Sequence, residues 1–383
     1  MEMTLSEEQK MLQQMAHDFA QKELAPKSAE LDESEKFPAD AVKKMAELGL
    51  MGITIPVEWG GAGMDNLAYV LALEEISAAC ASTAVTMSVN DSLYCAPIVN
   101  FGTDAQKEKY VKPFASGQKL GAYALSEPGT GSDAANQRTV AVKKGNKYIL
   151  NGTKNFITNG PDADAMMVFA MTDKEKRHKG ISAFIVEKGF SGYSVGKKEH
   201  KLGIRASSTS SIVLDNCEVP EENIIGKEGG GFSIAMWTLD GGRLGIATQA
   251  LGISRAAFEV AVRYSTEREA FDKPICEFEG IQWKIADMAM RIDASRLLVH
   301  RAAWMKDKGM KYSKEAAMAK LFSSETANFV AKEAVQILGG YGYCKEYPVE
   351  RYFRDAKITE IYEGTSEVQR IVIAKNVLKE LAS

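Results

Sequence analysis

The chain has 383 residues, which is longer than one ordinary domain and predicts two or three domains. Hydrophobic residues make up 45% and charged residues 26%, close to the globular average, which excludes disordered and fibrous proteins. The net charge of −4 argues against a nucleic-acid-binding protein, and no apolar run approaches the ~20 residues that cross a bilayer. The acidic start, residues 1–4, is unlike a basic targeting peptide, so we expect a cytoplasmic protein.

The side chains that usually bind metals are scattered. The five cysteines form no CxxC pair, and the four histidines are dispersed along the chain. This pattern predicts free thiols in a reducing compartment and offers neither a disulfide framework nor a zinc site. We therefore expect no metal site and no metal-dependent hydrolysis.

The hydrophobic pattern divides the chain into three parts. The first, residues 6–116, is helical: a capping box of Ser6 and Gln9 opens it, and helical runs follow at 39–48, 67–81, 91–101 and 105–114. The second has short apolar runs at 121–125, 148–150, 165–171, 181–186 and 211–214, separated by turn residues, which predicts antiparallel strands. Long helical patterns return at 233–268, 281–308, 313–338 and 366–381.

Glycine usage supports this division, because half of the 32 glycines lie between residues 117 and 231 and only four lie between 243 and 335. The predicted fold class is α+β, mainly α. We expect an N-terminal helical domain over 1–118, a middle antiparallel β-barrel-like domain over 119–231, and a C-terminal four-helix-bundle domain over 232–383.

Most standard catalytic motifs are absent: the chain has no GxGxxG, Walker A or HExxH sequence. Residues 192–196 do match GxSxG, which would make Ser194 the nucleophile of a serine hydrolase. A nucleophile elbow needs a strand before the serine and a helix after it, and residues 197–203 do not resemble a helix start. A β-turn in the middle domain explains the match better, and the hydrolase is kept as an alternative.

Three segments are candidates for chemistry. Residues 123–133 run from a strand into a loop with two glycines, three hydroxyls and two acids, where bare backbone could approach a polar ligand; the alternative is a tight turn capped by Asp133. Residues 336–343 end a helix on several glycines that could face a flat ligand, or serve as a plain C-cap. In residues 361–369, Ser366 and Gln369 predict a capping box, which places Glu363 just before a helix N-terminus. Read alone, that carboxylate could be catalytic or simply a stabilising charge.

Together these segments resemble the acyl-CoA dehydrogenase family, over the whole chain. Residues 123–133 resemble its first signature, and the stretch from Gln336 to Asp355, with Gly339, Gly340, Gly342, Glu346 and Arg351, resembles its second. The strings at 88–94, 240–247 and 358–366 resemble the short-chain, butyryl-CoA branch most closely.

The resemblance implies FAD-dependent α,β-dehydrogenation of a short acyl-CoA, with electrons passed to an electron-transfer flavoprotein. It implies that Glu363 is the base and that its backbone N–H helps to bind the thioester oxygen. Substrate binding would expel water and raise the pKa of this carboxylate towards the working range. Some branches of the family carry the base at the position of Gly242, which glycine cannot supply. The same chemistry on a branched, cyclic or dicarboxylic acyl-CoA is the alternative.

The resemblance also implies the binding residues. FAD contacts are expected from Tyr123, Leu125, Ser126, Gly131, Ser132, Phe156, Thr158, Thr365 and Glu367, and from Arg268, Phe271, Gln336, Gly339 and Gly340, several of which would reach the FAD of a neighbouring subunit. Substrate contacts are expected from Ser132, Asp240, Arg243, Tyr362, Glu363 and Gly364. A homotetramer is the family's usual assembly.

Three positions depart from the family pattern. Phe156 stands where tryptophan is common, Asp272 where glycine usually follows the phenylalanine, and Glu279 where glutamine is usual. The two added carboxylates would be unfavourable near a cofactor phosphate unless they point away or pair, and Lys273 is a candidate partner.

Overall fold

The structure, a computed structural model, describes residues 4–382. The acidic first three residues, on which the expectation about targeting rests in part, lie outside this range. Within it, an N-terminal helical region, a central sheet and a C-terminal helical region follow one another along the chain. The expected α+β architecture, with helices before and after the strands, is confirmed.

The N-terminal region consists of short helices. They are α1 (Glu7–Phe19), α2 (Ser28–Ser34), α3 (Ala39–Glu47), α4 (Asn66–Ala79), α5 (Ala81–Ser88), α6 (Ala96–Phe101), α7 (Asp104–Tyr110) and α8 (Lys112–Ala115), with π-helical turns at Ala20–Leu24 and Val89–Cys95. The capping box predicted for α1 is present: the Ser6 hydroxyl accepts from the Gln9 N–H at 3.1 Å, and the Gln9 side chain accepts from the Ser6 N–H at 2.9 Å. The run predicted over 67–81 is interrupted at Cys80, whose backbone is extended.

The central region of the described chain forms one eight-stranded sheet. Its strands are β1 (Gly121–Ala124), β2 (Val140–Lys144), β3 (Lys147–Thr158), β4 (Ala165–Met171), β5 (Ile181–Glu187), β6 (Tyr193–Lys198), β7 (Thr209–Pro220) and β8 (Ile224–Ile225). They are ordered β6-β7-β3-β2-β4-β5-β8, with β1 beside β4. Most pairs are antiparallel as predicted, but β4 runs parallel to β1 and meets β2 in parallel at Val140 and Met171. Between β1 and β4 the chain forms the antiparallel β2–β3 hairpin, so that β4 lies beside β1 and runs in the same direction. The local sequence pattern could not reveal this parallel pairing.

The C-terminal region is built on long helices. They are α9 (Gly231–Glu267), α10 (Glu279–Asp307), α11 (Ser313–Leu338), α12 (Val349–Ile358) and α13 (Ser366–Leu381), with a small hairpin of β9 (Glu269–Ala270) and β10 (Lys273–Pro274) between α9 and α10. Helix α12, which the sequence did not indicate, carries Asp355. The carboxylate of Asp355 accepts the Ile204 N–H at 2.5 Å and so ties the last helices to the central sheet.

One hydrophobic core runs through both helical regions and one face of the sheet, and a second core fills the other face. Among the described helices, none is long and apolar enough to cross a membrane. Strand β1 connects the central sheet to the N-terminal helical region, because the Gly121 N–H donates to the side chain of Asn90, in the π-helical turn, at 2.8 Å. The chain leaves β1 into the first signature loop, which is bonded to strand β3 through the Asn155 N–H and the Lys154 ammonium.

Candidate active site

Glu363 lies on a tight turn between α12 and α13. Its backbone φ is 50° and that of Gly364 is 92°, so two consecutive residues occupy the left-handed region. The side-chain amide of Gln369 holds this turn, donating to the carbonyls of Glu363 at 3.2 Å and Gly364 at 2.8 Å. The expectation that Ser366 caps α13 is wrong: the helix begins at Ser366, and the Thr365 hydroxyl caps it by accepting the Val368 N–H at 3.3 Å.

The carboxylate of Glu363 is buried without being neutralised by a direct partner. Its Oε2 atom is inaccessible to solvent and has no hydrogen-bond partner among residues 4–382. Burial raises the pKa of this carboxyl to about 7, although the positive charges of Lys320 and Arg243 oppose the rise. The backbone N–H of Glu363 likewise donates to no acceptor in the described chain. Glu363 therefore carries both a carboxylate oxygen and a backbone N–H without a hydrogen-bond partner in the described chain.

Gly242 of α9 makes room for this carboxylate. A Cβ at position 242 would lie 1.8 Å from Glu363 Oε2 and 2.8 Å from Leu93 Cδ2, far inside contact distance. Any side chain at 242 would therefore compete with Glu363 for the same space. This agrees with the expectation that glycine at 242 and glutamate at 363 go together.

Asp240 and Arg243 lie on α9 next to this space and pair with each other. The Arg243 guanidinium donates to the Asp240 carboxylate, which also accepts from the Ser313 hydroxyl. Burial raises the pKa of Asp240, and the charge of Arg243 opposes it. Arg243 is buried and its Nε has no partner among the described residues, so one N–H of the guanidinium is available to a ligand.

Two tyrosines, Tyr123, which is buried, and Tyr362, which is partly buried, complete the surroundings of Glu363. The Tyr362 hydroxyl donates to the Gln249 side chain, whereas the Tyr123 hydroxyl has no partner within the described range. Burial, together with the negative charge of Glu363, raises the pKa of both phenols well above the usual value. Both therefore remain neutral at any working pH and can act only as hydrogen-bonding groups.

The first signature loop leaves β1 towards this site. Ser126 is fixed through its carbonyl, which accepts the Asn155 N–H at 2.9 Å, while Gly131 and Ser132 are exposed. A Cβ at Gly131 would meet nothing within 4 Å, so the loop faces open space. Phe156 lies at a bulge of β3 with φ 58° and its ring is 65% exposed. An exposed aromatic ring beside an open, hydroxyl-bearing loop suits a flat aromatic ligand.

The second group of expected FAD residues lies on the outside of the helical region. Arg268, Phe271, Gln336, Gly339 and Gly340 are all exposed. Phe271 and Asp272 form the tip of the β9–β10 hairpin, both with positive φ, and the Phe271 ring is 89% exposed. The helix α11 ends at Leu338 as predicted, and Gly339 follows with φ 61°. No Cβ at Gly339 or Gly340 would meet anything within 4 Å.

The end of α9 and the glycine turn are connected through aromatic rings. The ring of Tyr347 contacts Tyr264, near the end of α9, at 5.7 Å between centroids and Tyr341, in the glycine turn, at 5.9 Å. The structure thus places Arg243, Tyr123 and Tyr362 close to Glu363, whereas the second set of expected residues lies on the exposed surface. Glu367 is exposed in the first turn of α13, and Thr158 is partly buried at the end of β3.

Two of the three departures from the family pattern, Asp272 and Glu279, lie on the exposed surface at and after the β9–β10 hairpin. Asp272 is at the hairpin tip and Glu279 begins α10, both exposed. Lys273 pairs with neither carboxylate among residues 4–382; its ammonium lies over the Phe278 ring, 4.5 Å from the centroid. Of the two possibilities considered, pairing with Lys273 is therefore not observed within one subunit of the described chain, and both carboxylates are exposed to solvent.

The serine hydrolase alternative does not survive. Ser194 lies within strand β6 and is paired with Val213 of β7, so it is not on a turn between a strand and a helix. Its side chain is exposed on the sheet surface. The GxSxG match therefore reflects a tight approach at Gly192, where φ is 83° and a Cβ would lie 2.3 Å from the Asp215 carbonyl oxygen. No group of metal-ligating side chains was found among the described residues.

The sequence analysis did not identify two buried lysines, one that contacts the turn at Glu363–Gly364 and one that contacts the first signature loop. Lys320 is completely buried and donates to the Gly364 carbonyl at 2.7 Å, and Lys154 is completely buried beneath the first signature loop. A signal for Lys320 was available: it falls on the small-residue stripe of α11 that includes Ala316, Ser324 and Ala327. A lysine on a buried stripe is unusual. For Lys154 the alternation in β3 gave no comparable signal.

Comparison with known proteins identifies the family. Acyl-CoA dehydrogenase domain models match residues 6–118 (N-terminal domain), 122–217 (middle domain) and 229–378 (C-terminal domain). Together they cover most of the chain, which belongs to the acyl-CoA dehydrogenase family of oxidoreductases. The resemblance found in the sequence is confirmed.

Individual relatives are similar along their whole length. "Acyl-CoA dehydrogenase, short-chain specific" of Clostridium acetobutylicum is 53% identical over 380 residues, covering 99% of this chain and 100% of its own. The solved butyryl-CoA dehydrogenase of Megasphaera elsdenii superimposes with a TM-score of 0.97 at 49% identity, over 99% of this chain and 100% of that chain.

Two further structures bear on cofactor and partner. A chain in a structure described as "Electron transferring flavoprotein of Acidaminococcus fermentans" has a TM-score of 0.98 and 52% identity, over 99% of this chain and 100% of that one. An acyl-CoA dehydrogenase of Bacillus anthracis complexed with FAD has a TM-score of 0.93 and 35% identity, over 99% of this chain and 68% of that one. FAD is the cofactor of this family, and the open loop at Gly131 and the exposed Phe156 ring fit it.

Proposed function

We propose that this enzyme removes two hydrogens from Cα and Cβ of a short-chain, butyryl-CoA-like thioester, giving the trans-2-enoyl-CoA. One observation carries the proposal: the buried carboxylate of Glu363 has no hydrogen-bond partner in the described chain and a pKa of about 7. A carboxylate in this state is a competent base near neutral pH.

Glu363 contributes both of its polar groups to the reaction. Its backbone N–H, which has no acceptor among residues 4–382, donates to the thioester oxygen and stabilises the charge that develops there. Its Oε2 atom takes the α proton. FAD, when bound, accepts the β hydrogen as hydride. The turn held by Gln369 keeps the N–H and the carboxylate in a fixed relation while this happens.

The CoA portion is held by groups on α9 and the first signature loop. Arg243 offers its unpartnered Nε–H, and Asp240 fixes the guanidinium in place. Ser132 lies exposed on the loop, and Tyr362 and Gly364 flank the thioester end. These assignments rest on the family resemblance, and that of Arg243 is supported further by its charge, which acts on the Glu363 carboxylate.

Short acyl chains fit the packing along α9. Positions 242 and 245 lie on one side of this helix, about 4.5 Å apart along its axis. A Cβ at Gly245 would lie 2.4 Å from the Ser88 hydroxyl oxygen and 3.0 Å from that of Tyr69. These hydroxyls therefore pack tightly against α9 about one helical turn from Gly242, which favours a short acyl chain over a long one. The names of the Clostridium and Megasphaera relatives support the same substrate.

FAD binding divides between the two groups of residues. Tyr123, Leu125, Ser126, Gly131, Ser132, Phe156, Thr158, Thr365 and Glu367 surround the FAD of their own subunit. The exposed set, Arg268, Phe271, Gln336, Gly339 and Gly340, reaches the FAD of a neighbouring copy. An 89% exposed phenylalanine on a hairpin tip is otherwise hard to account for in a single subunit.

A homotetramer is the proposed assembly. Trp283, Met290 and Leu297 are exposed on α10 at intervals of seven residues, which forms an apolar stripe suited to a second copy of the chain. Met290→Glu should lower the molecular mass of the assembly in light scattering, and an unchanged mass would count against this surface.

The acceptor is proposed to be an electron-transfer flavoprotein, supported by the similar chain in the Acidaminococcus structure. The five free cysteines favour a cytoplasmic, reducing location. The domain limits 1–118, 119–231 and 232–383 stay predictions that limited proteolysis can test.

The function is tested with purified protein. It should carry a flavin absorption band that butyryl-CoA bleaches, with octanoyl-CoA much less effective. Glu363→Gln should keep the band and bind acyl-CoA but reduce flavin about 10³-fold more slowly. Glu346→Gln, at an exposed glutamate outside the site, is the control and should react normally. Near-normal reduction in Glu363→Gln would disprove the base assignment, and colourless protein that cannot take up FAD would disprove the function.

A further inference from the structure

Lys320 is an unusual lysine in the middle of helix α11. Its side chain is completely buried, between buried Ala316 and Ser324 on the same face of the helix. The ammonium has three hydrogens to donate, yet within residues 4–382 it donates only to the Gly364 carbonyl, at 2.7 Å. It forms no ion pair with any described carboxylate.

A buried ammonium is costly unless a negative charge compensates it. Burial lowers the pKa of Lys320 to about 8, and the Glu363 carboxylate is the strongest of the groups that oppose this. The effect is reciprocal, because Lys320 is the first of the charges that oppose the raised pKa of Glu363. The two groups therefore stabilise each other's charged forms without touching.

We propose that Lys320 is a positioning residue for the base, holding the turn at Gly364 with its ammonium and keeping the nearby Glu363 carboxylate ionised between turnovers. This inference rests on the proposed role of Glu363. It assigns separate tasks to the two supports of the turn: Gln369 supplies geometry only, and Lys320 supplies geometry and charge.

The other groups around the base do not replace this charge. They are Arg243 on α9, Tyr69 on α4, Tyr123 on β1, Tyr362 on the turn itself, and Glu360 and Glu367 near Lys320. Arg243 is already paired with Asp240, the tyrosines are neutral, and the two glutamates are negative. Lys320 is thus the positive charge near Glu363 that lacks a carboxylate of its own.

The arrangement matters because substrate binding expels water from the site. Loss of water favours the protonated carboxyl, which cannot accept the α proton, and the ammonium opposes this. Once the proton has arrived, the ammonium still donates to the Gly364 carbonyl. The turn therefore keeps its shape while the charge of the base changes.

The pH dependence of kcat/KM tests the proposal. Lys320→Gln can still donate to the Gly364 carbonyl but has no charge, so the pKa of Glu363 rises. The acid limb should then move up by about one pH unit, and activity one unit below the native midpoint should fall about tenfold. Lys320→Arg keeps the charge and should keep the limb near its native position. Lys332→Met, at an exposed lysine of the same helix, is the matched control.

Gln369→Leu separates geometry from charge. It removes the bonds to the carbonyls of Glu363 and Gly364, only the second of which Lys320 also holds, so it should slow turnover at every pH without moving the acid limb. Flavin content and the melting temperature of each variant show whether it is folded. A second readout is the pH dependence of binding of an acyl-CoA thioether that cannot be oxidised, which should shift with the limb. Lys320→Met serves if Lys320→Gln does not fold.

An acid limb that stays in place in folded, flavin-containing Lys320→Gln, or that moves equally in Gln369→Leu, would overturn the proposal. Failure of the underlying function looks different, because Glu363→Gln would then retain near-normal turnover whatever Lys320 does.

Discussion

Two glutamates, Glu127 and Glu363, each lie close to a completely buried lysine, and their surroundings are opposite in kind. In the central sheet, Glu127 accepts the Lys154 ammonium at 2.8 Å, the Arg138 N–H at 2.6 Å and the Thr139 N–H at 3.0 Å. At the turn before α13, the Lys320 ammonium bonds a backbone carbonyl instead, and Glu363 Oε2 is left without a partner in the described chain.

The pKa values follow this difference. Burial would raise the pKa of Glu127, but the charge and hydrogen bonds of Lys154 and the backbone lower it below the usual value. Burial dominates at Glu363 and raises its pKa to about 7. A satisfied carboxylate fixes the loop that begins at Leu125, whose carbonyl also accepts from Lys154 at 3.2 Å. An unsatisfied one is available to take a proton.

The largest expected effect comes from breaking the satisfied pair. Lys154→Met leaves the Glu127 carboxylate buried without its counter-charge and should lower the free energy of unfolding by about 4 kcal/mol. Lys147→Met, on the same strand, removes only the partly exposed pair with Glu218 and should cost less than about 1 kcal/mol. Denaturant unfolding of apoprotein measures both. Equal losses would mean that burial does not distinguish the two ion pairs.

Replacing the Glu363 carboxylate, which has no hydrogen-bond partner in the described chain, should stabilise the folded protein instead of destabilising it. The folded pKa of Glu363 is raised from 4.5 to about 7, so its contribution to stability is full below pH 4.5 and is lost as the pH rises through 7. Glu363→Gln does not ionise and should therefore unfold with up to about 3 kcal/mol more free energy than the native apoprotein at pH 8.

At pH 4.5 the two proteins should be nearly equal. Unfolding measured at both pH values checks this, and a glutamine variant that is less stable at pH 8 would show that the carboxylate is in fact satisfied.

The next largest effect is expected from filling the space that the Glu363 carboxylate occupies beside Gly242. A Cβ at 242 would lie 1.8 Å from Glu363 Oε2, so Gly242→Ala should displace the carboxylate and lower kcat about 10²-fold, which corresponds to about 2.7 kcal/mol. Gly241→Ala is the matched control, because its Cβ would come no closer than 3.5 Å to the Lys306 ammonium. Steady-state kinetics with butyryl-CoA compares them. Full activity in Gly242→Ala would place the working carboxylate elsewhere.

The smallest effect is expected from removing the Gln137 side chain, one of the hydrogen-bond partners of the Lys154 ammonium. Gln137 accepts from the Lys154 ammonium at 2.5 Å and donates to the Leu125 carbonyl at 3.2 Å. Gln137→Leu leaves the Lys154–Glu127 pair in place and should cost about 1–2 kcal/mol. A loss as large as that of Lys154→Met would show that the three side chains act as one unit.

Much of the fold followed from local pattern. The limits of α11, α13 and β4 agree with the sequence, since each is a long or strongly apolar run with clear ends. The sequence did not show that Cys80 interrupts a helix, that β4 runs parallel to β1, or that α12 exists. These depend on how distant segments pack.

The candidate site divides in the same way. Glu363 could be named because its signature is local, and the structure adds why it is reactive: burial, an empty Oε2 and a glycine opposite. Lys320 had a sequence signal, as a lysine on a buried small-residue stripe, but its relation to Glu363 arises only when α11 packs beneath the turn. The cap of α13 was misplaced by one residue, from Thr365 to Ser366, since both carry a hydroxyl that could cap.

Gly242 and Glu363 have a consequence for how such a site can change over evolutionary time. The two positions are far apart in the sequence, yet the geometry allows a side chain at only one of them. A carboxylate could be attached at either position and reach the same place. However, an ancestor moving it from one to the other would pass either through a crowded site with both or through an inactive one with neither. Lineages with the base on the helix and on the turn should therefore be separated by a pair of coupled substitutions, and intermediates should be rare.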